Sequence, residues 1–233
     1  MWIFPLGAAV VSGIFATLLA QRWLANARPH HLAWAIALAM FAIASFVASI
    51  GVLDVWTPVE FRLFYLFGAI LNVPVLALGT VYLMAPRRIG HLVAALVGLA
   101  TIFAAGAVFT APLHRAGLST QGIPSGREVM PEGVRTISRY FSYTGFAVVV
   151  GGALWSAARL GRKKDENLRR LAFANLLIAG GTFIVAVASV FARYGQGSIF
   201  SVGLLAGIVT MFAGFMKTQP RAAPPPETSD AAG

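Results

Sequence analysis

The chain reads as long apolar runs separated by short polar breaks. Within each run the apolar positions are continuous and lack the 3.6-residue spacing of a helix that is wet on one side. A helix needs about 20 such residues to cross roughly 30 Å of hydrocarbon. Seven runs reach that length, at 2–21, 31–53, 60–85, 91–112, 139–160, 171–192 and 198–216. The pattern predicts an all-α membrane protein, with a seven-helix bundle over residues 1–217 and a disordered cytoplasmic tail over 218–233, around Pro224-Pro225-Pro226. Gly, Ala, Ser and Thr run through every span, as close helix–helix approach in lipid requires, and Gly203 with Gly207 forms one small-xxx-small face.

Composition narrows the picture. Of 233 residues, 58% are hydrophobic and only 11% charged, too few charges to coat a soluble globule, and no stretch is left for a soluble catalytic domain. The formal net charge of +10 raises the question of nucleic acid, but its placement points to orientation instead. Alternate loops carry Arg22, Arg28, Arg87, Arg88, Arg159, Arg162, Lys163, Lys164, Arg169, Arg170, Lys217 and Arg221. The other side carries only Arg62, Arg115, Arg127, Arg135, Arg139 and Arg193. Twelve against six predicts an outside N-terminus and a cytoplasmic C-terminus in the plasma membrane. The loop residues Arg159, Arg162, Lys163, Lys164, Arg169 and Arg170 would then contact anionic lipid heads or a membrane-protein partner. Ala25-Asn26-Ala27 has the small-residue pattern of a signal-peptide cleavage site. Met1–Pro5 has no basic residue, however, and Arg22 interrupts the approach to that site, so the first run reads as a retained span. There is no cysteine, which excludes disulfides, thiolate metal sites and cysteine nucleophiles.

A shift of 138 places lays "GAAVVSG" (7–13) on "GFAVVVG" (145–151), and one residue further lays "LAWA" (32–35) on "LAFA" (171–174). Two three-helix halves around a linking fourth helix would produce this, a plan known from transporters. Such a 3+1+3 plan is similar to SWEET sugar transporters and microbial rhodopsins, but the residues depart from both. The fifth to seventh runs hold none of the prolines on which the SWEET pattern depends. The last run has no lysine before Lys217 to carry a retinal. The stretch "FRLFYLFGAILNVPVLALGTVYLM" (61–84) resembles a family of uncharacterised bacterial seven-transmembrane-helix integral membrane proteins. The resemblance covers about one helix and implies no activity.

That same stretch carries the candidate chemistry. Pro74 lacks the N–H that an α-helix would pair with the Ile70 carbonyl, so a hinge is expected there, with Asn72 as a nearby amide or a solute contact at mid-membrane. Arg62 with Tyr65, Arg139 with Tyr143, and Arg193 beside Tyr194 fall at one depth on the less basic side. They read either as headgroup anchors paired with Asp54, Glu60, Glu128 or Glu132, or as an anion pocket. The loop 113–138 is long enough for a lid or a connector, and "REVMPEGVRTISRY" within it could extend the fifth helix, limited by Pro131. His91 and His114 stand 23 residues apart on one helix, about 34 Å, too far to share a metal. His31 with His91 as haem ligands is outweighed by snorkelling at helix ends, so neither metal nor cofactor is expected. The span interiors hold no Asp or Glu, which removes the usual residues of proton coupling and acid–base catalysis.

Two functions remain open at this stage. One is a non-catalytic sensor, scaffold or accessory subunit docking through its basic loop, and the other is a small-solute or lipid transporter with a site near Asn72. Orientation is directly testable. A reporter fused after Lys217 is expected to be active in the cytoplasm and a tag at Met1 to be accessible from outside; an externally exposed C-terminus contradicts the charge reading.

Overall fold

The computed structural model describes residues 2–119, 122–162 and 165–217, without the side chains of Ser119 and Arg193. Lys163, Lys164 and the tail 218–233 lie outside the described residues. Seven helices are long and apolar enough to cross a membrane: Ile3–Asn26, Pro29–Leu53, Pro58–Met84, Arg87–Thr110, Glu132–Gly161, Glu166–Arg193 and Gly197–Lys217. No strand occurs among the described residues.

Most boundaries outrun the hydropathy pattern by a turn or so, because a helix continues into polar flanks wherever its ends are capped. Thr57 accepts from the Glu60 N–H while Glu60 accepts from the Thr57 N–H, and Pro58 opens the first turn of the third helix. Asp165 accepts from the N–H groups of Asn167 and Leu168 and starts the sixth helix five residues before the predicted span. The fifth helix begins at Glu132, immediately after Pro131, so "REVMPEGVRTISRY" does extend it and Pro131 marks the limit.

Six of the helices form a ring. The first touches the second and seventh, the second touches the third, the third the fifth, the fifth the sixth, and the sixth the seventh. The fourth stands outside, packed mainly on the third: only 11% of its apolar window is buried, against 50% for the second helix.

The third helix is broken where the sequence suggested, but in a different way. Residues Tyr65–Leu71 form a π-helical segment, and the Asn72 N–H bonds the Phe67 carbonyl five residues back. The α-register resumes at Asn72, and Pro74 two residues on has no N–H to offer the Ile70 carbonyl. The carbonyl just before it, that of Ala69, finds donors on another helix. It accepts from two hydroxyls of the fifth helix, Ser138 Oγ at 2.9 Å and Ser142 Oγ at 3.1 Å. One helical turn beyond them Gly145 lies so close that a Cβ there would stand 2.9 Å from the Val73 carbonyl carbon and 3.0 Å from the Pro74 nitrogen. Ser138, Ser142, Gly145, Val149 and Gly152 recur at intervals of three and four, so one face of the fifth helix seats the whole broken helix.

Two serines on one carbonyl make each partly redundant. Ser138→Ala or Ser142→Ala alone is expected to cost about 0.6 kcal/mol, the usual worth of an interhelical hydrogen bond in a membrane. The double variant strands a buried carbonyl and is expected to cost about 1–3 kcal/mol, more than the sum of the single losses. Unfolding in mixed micelles reads the three values; small, additive losses would show that the carbonyl does not need them.

Candidate functional site

The ends of the ring differ. At the less basic end the residues between the fourth and fifth helices fold inward as a cap, with Leu118, Val129 and Met130 almost fully buried. A turn of 3₁₀-helix (Arg115–Ser119) and a short helix (Gly126–Val129) build it, and the His114 N–H bonds the Val129 carbonyl across it. The buried indole of Trp56 donates to the Gly122 carbonyl at 2.8 Å and lies over Gly51, where a Cβ would collide with it. Tyr65 is buried, stacks on Phe61 and is covered by Gly126. The loop is a packed plug over the third helix.

Arg62 belongs to this plug. Its Nη2 donates to the Ala111 carbonyl at 2.8 Å, immediately past the last turn of the fourth helix. A cation there satisfies an end carbonyl and meets the negative pole of the helix, tying the peripheral fourth helix to the third. Arg139 has other partners, Glu132 and the Thr136 hydroxyl, and Glu132 also pairs with Arg135. Arg62 and Arg139 thus hold separate partners. Tyr143 is exposed, as are Tyr140 and Tyr194 at the same end, the placement of an interfacial aromatic belt. Arg193 ends the sixth helix.

The other half of the ring encloses a cavity of about 80 Å³, lined by all six ring helices and not by the fourth. Its wall is apolar, with Phe15, Leu76, Val149, Met211 and Phe215 among its residues, and carries three polar positions: Thr80, Ser156 and Asn175. Asn175 Nδ2 donates to Ser156 Oγ at 2.8 Å, joining the fifth and sixth helices and leaving the amide oxygen and the serine proton for another partner. Trp34 completes the wall: its indole lies over Gly79 and donates to the Leu76 carbonyl at 3.1 Å. No charged side chain lines the cavity among the described residues. Leu83 and Met84 at its rim are exposed, so it lies toward the basic end, opposite the plug.

Asn72 stands on the same face of the third helix as Leu76 and Thr80, at intervals of four, but about 12 Å from Thr80 at 1.5 Å per residue. It is buried and does not line the cavity. The serine hydroxyls, not the Asn72 amide, meet the Ala69 carbonyl at the break. The polar pair that does face the cavity, Ser156 with Asn175, was open to the reasoning that picked out Asn72. An amide inside an apolar run is costly unless paired, and Asn175 sits five residues inside the predicted 171–192 span.

At the basic end Arg159, Arg162 and Arg169 are exposed and Arg170 is half-buried. The Arg22 guanidinium covers the Phe215 ring at 4.2 Å, closing the seam between the first and seventh helices. His91 Nδ1 shares a 3.0 Å hydrogen bond with the Tyr82 hydroxyl, and among the described residues no three His, Asp or Glu gather as a metal site. Compared with family profiles, curated proteins and solved structures, the chain matches none.

Proposed function

We propose that this chain is a small-solute carrier of the plasma membrane, with its N-terminus outside and its cytoplasmic basic end opening onto a chamber for a small uncharged amphipathic solute. The observation that carries this reading is the enclosed cavity with Thr80, Ser156 and Asn175 set in an otherwise apolar wall. An uncharged ligand is favoured because the wall offers hydrogen bonds but no countercharge, and a bare ion would lose hydration without recompense. At about 80 Å³ the chamber is smaller than the roughly 300–1,000 Å³ of ordinary ligand pockets, so loading requires a helix to move. The π-helical and proline break of the third helix supplies a hinge, at the Pro74 singled out in the sequence.

A second reading, a non-catalytic sensor or accessory subunit, is favoured by the fourth helix, whose Leu92, Leu96, Leu99, Ile102 and Phe103 are all more than half exposed. These residues face lipid or a partner equally well, and the chamber has no role in that reading.

The cysteine-free chain allows a single-site test. Ala153→Cys, in the chamber wall, would be labelled with a small neutral maleimide in the presence of hexanamide or hexanoate. Hexanamide is expected to slow labelling several-fold and hexanoate not to, with no effect of either on Leu99→Cys, which faces outward on the fourth helix. Adding Asn175→Leu should remove the protection. Equal protection by both probes, or none by either, contradicts the proposal.

A further inference from the structure

The basic end carries a second concavity, unrelated to the chamber. Where the fifth and sixth helices approach their connecting turn they leave a trench of about 510 Å³ on the outside of the ring. Its floor is made of small residues, Gly161 and Ala172 among them, and its walls of Leu154, Phe173 and Leu176, each about half exposed. The trench thus presents apolar surface along its length at membrane depth and turns polar only at its basic end. There Arg169 lies one helical turn before Phe173, and beside the trench, not in its lining, the Lys217 ammonium sits 5.5 Å from the centroid of the same Phe173 ring. Two cations from different helices therefore flank one aromatic wall. Asp165 caps the sixth helix, Glu166 three residues before Arg169 forms no ion pair with it, and the only ion pairs among the described residues are those of Glu132, at the opposite end.

We infer that this trench is a site for one anionic glycerophospholipid, with an acyl chain along the fifth and sixth helices and the phosphate between Arg169 and Lys217. The chemistry selects this occupant. A single acyl chain can lie along a shallow apolar trench between two helices, whereas a partner helix is about 10–12 Å across with its side chains and would lie over the trench without filling it. The cations stand at the end of the trench where a headgroup lies when its chain points to mid-membrane. A zwitterionic headgroup would bring its own cation against Lys217, so the pairing favours net negative charge. The site is distinct from general attraction by the basic loops, because it needs the apolar trench as well as the charge.

Native mass spectrometry of the full chain, titrated with phosphatidylglycerol or phosphatidylcholine, tests the two requirements separately. Arg169→Ala with Lys217→Ala is expected to weaken phosphatidylglycerol retention about tenfold and to leave phosphatidylcholine unchanged. Gly161→Leu fills the trench and leaves both cations. It is tolerated because a Cβ at Gly161 would meet nothing nearer than the Ala172 Cβ at 3.8 Å, and it should weaken phosphatidylglycerol retention as well. Ala158→Leu, at an exposed position in the same trench, serves as a second filling variant. Arg87→Ala with Arg88→Ala removes two charges from the same end, away from the trench, and is expected to change nothing. Loss of retention in that control equal to the loss in the Arg169 and Lys217 variant, or full retention in both filling variants, overturns the inference.

Discussion

One carbonyl group organises this helical bundle. Inside hydrocarbon a backbone acceptor without a donor costs several kcal/mol, and the third helix, where a π-helical segment runs into Pro74, turns its Ala69 carbonyl to donors outside its own helix. The fifth helix answers with two serine hydroxyls, and Gly145 brings its backbone against the break. This contact fixes the rotation and height of the fifth helix against the third. Together with the contact of the first and seventh helices it joins the first three helices to the last three, with the fourth outside.

The rest follows from that seam. With the third and fifth helices in direct contact, the fourth is excluded from the ring and held from one side. Arg62 reaches from the third helix to the Ala111 carbonyl and secures its far end, while Tyr82 and His91 meet at the near end. The connection from the fourth helix to the fifth must then cross the end of the third, where Trp56 and Tyr65 receive it as a plug. Closure at one end and small residues such as Gly152 at the other leave the chamber toward the basic end. Its polar groups come from the third, fifth and sixth helices. The Ala69 seam and the chamber thus share two helices, the third with Thr80 and the fifth with Ser156.

The sequence made some of this legible, for physical reasons. Apolar runs long enough to cross a bilayer exclude most alternatives, so the seven helices were read with boundaries a turn or so short. The missing residues are polar flanks, held by caps such as the Thr57–Glu60 box, that hydropathy does not see. Pro74 announced a break, because a proline removes a donor whatever its surroundings. The π-helical segment before it follows from no periodicity, and the serines that meet the Ala69 carbonyl lie 69 and 73 residues away. Arg62 looked like a headgroup anchor because its partner, an end carbonyl 49 residues on, is brought to it only by tertiary packing. Asn175 resembles Asn72 in kind, but its place near a span end gives no sign that it faces inward and bonds Ser156.

The state of the Ala69 carbonyl itself is the most direct measure of this account. A ¹³C=¹⁸O label at Ala69 separates its amide I band from the rest of the helix, and the band falls in frequency as hydrogen bonds are added. In the unaltered protein the band should lie at or below that of a normally bonded helical carbonyl. It should rise clearly when Ser138 and Ser142 are both replaced by alanine. A band already at the unbonded frequency, or one that does not move in the double variant, would contradict the claim that these two hydroxyls hold the broken helix in place.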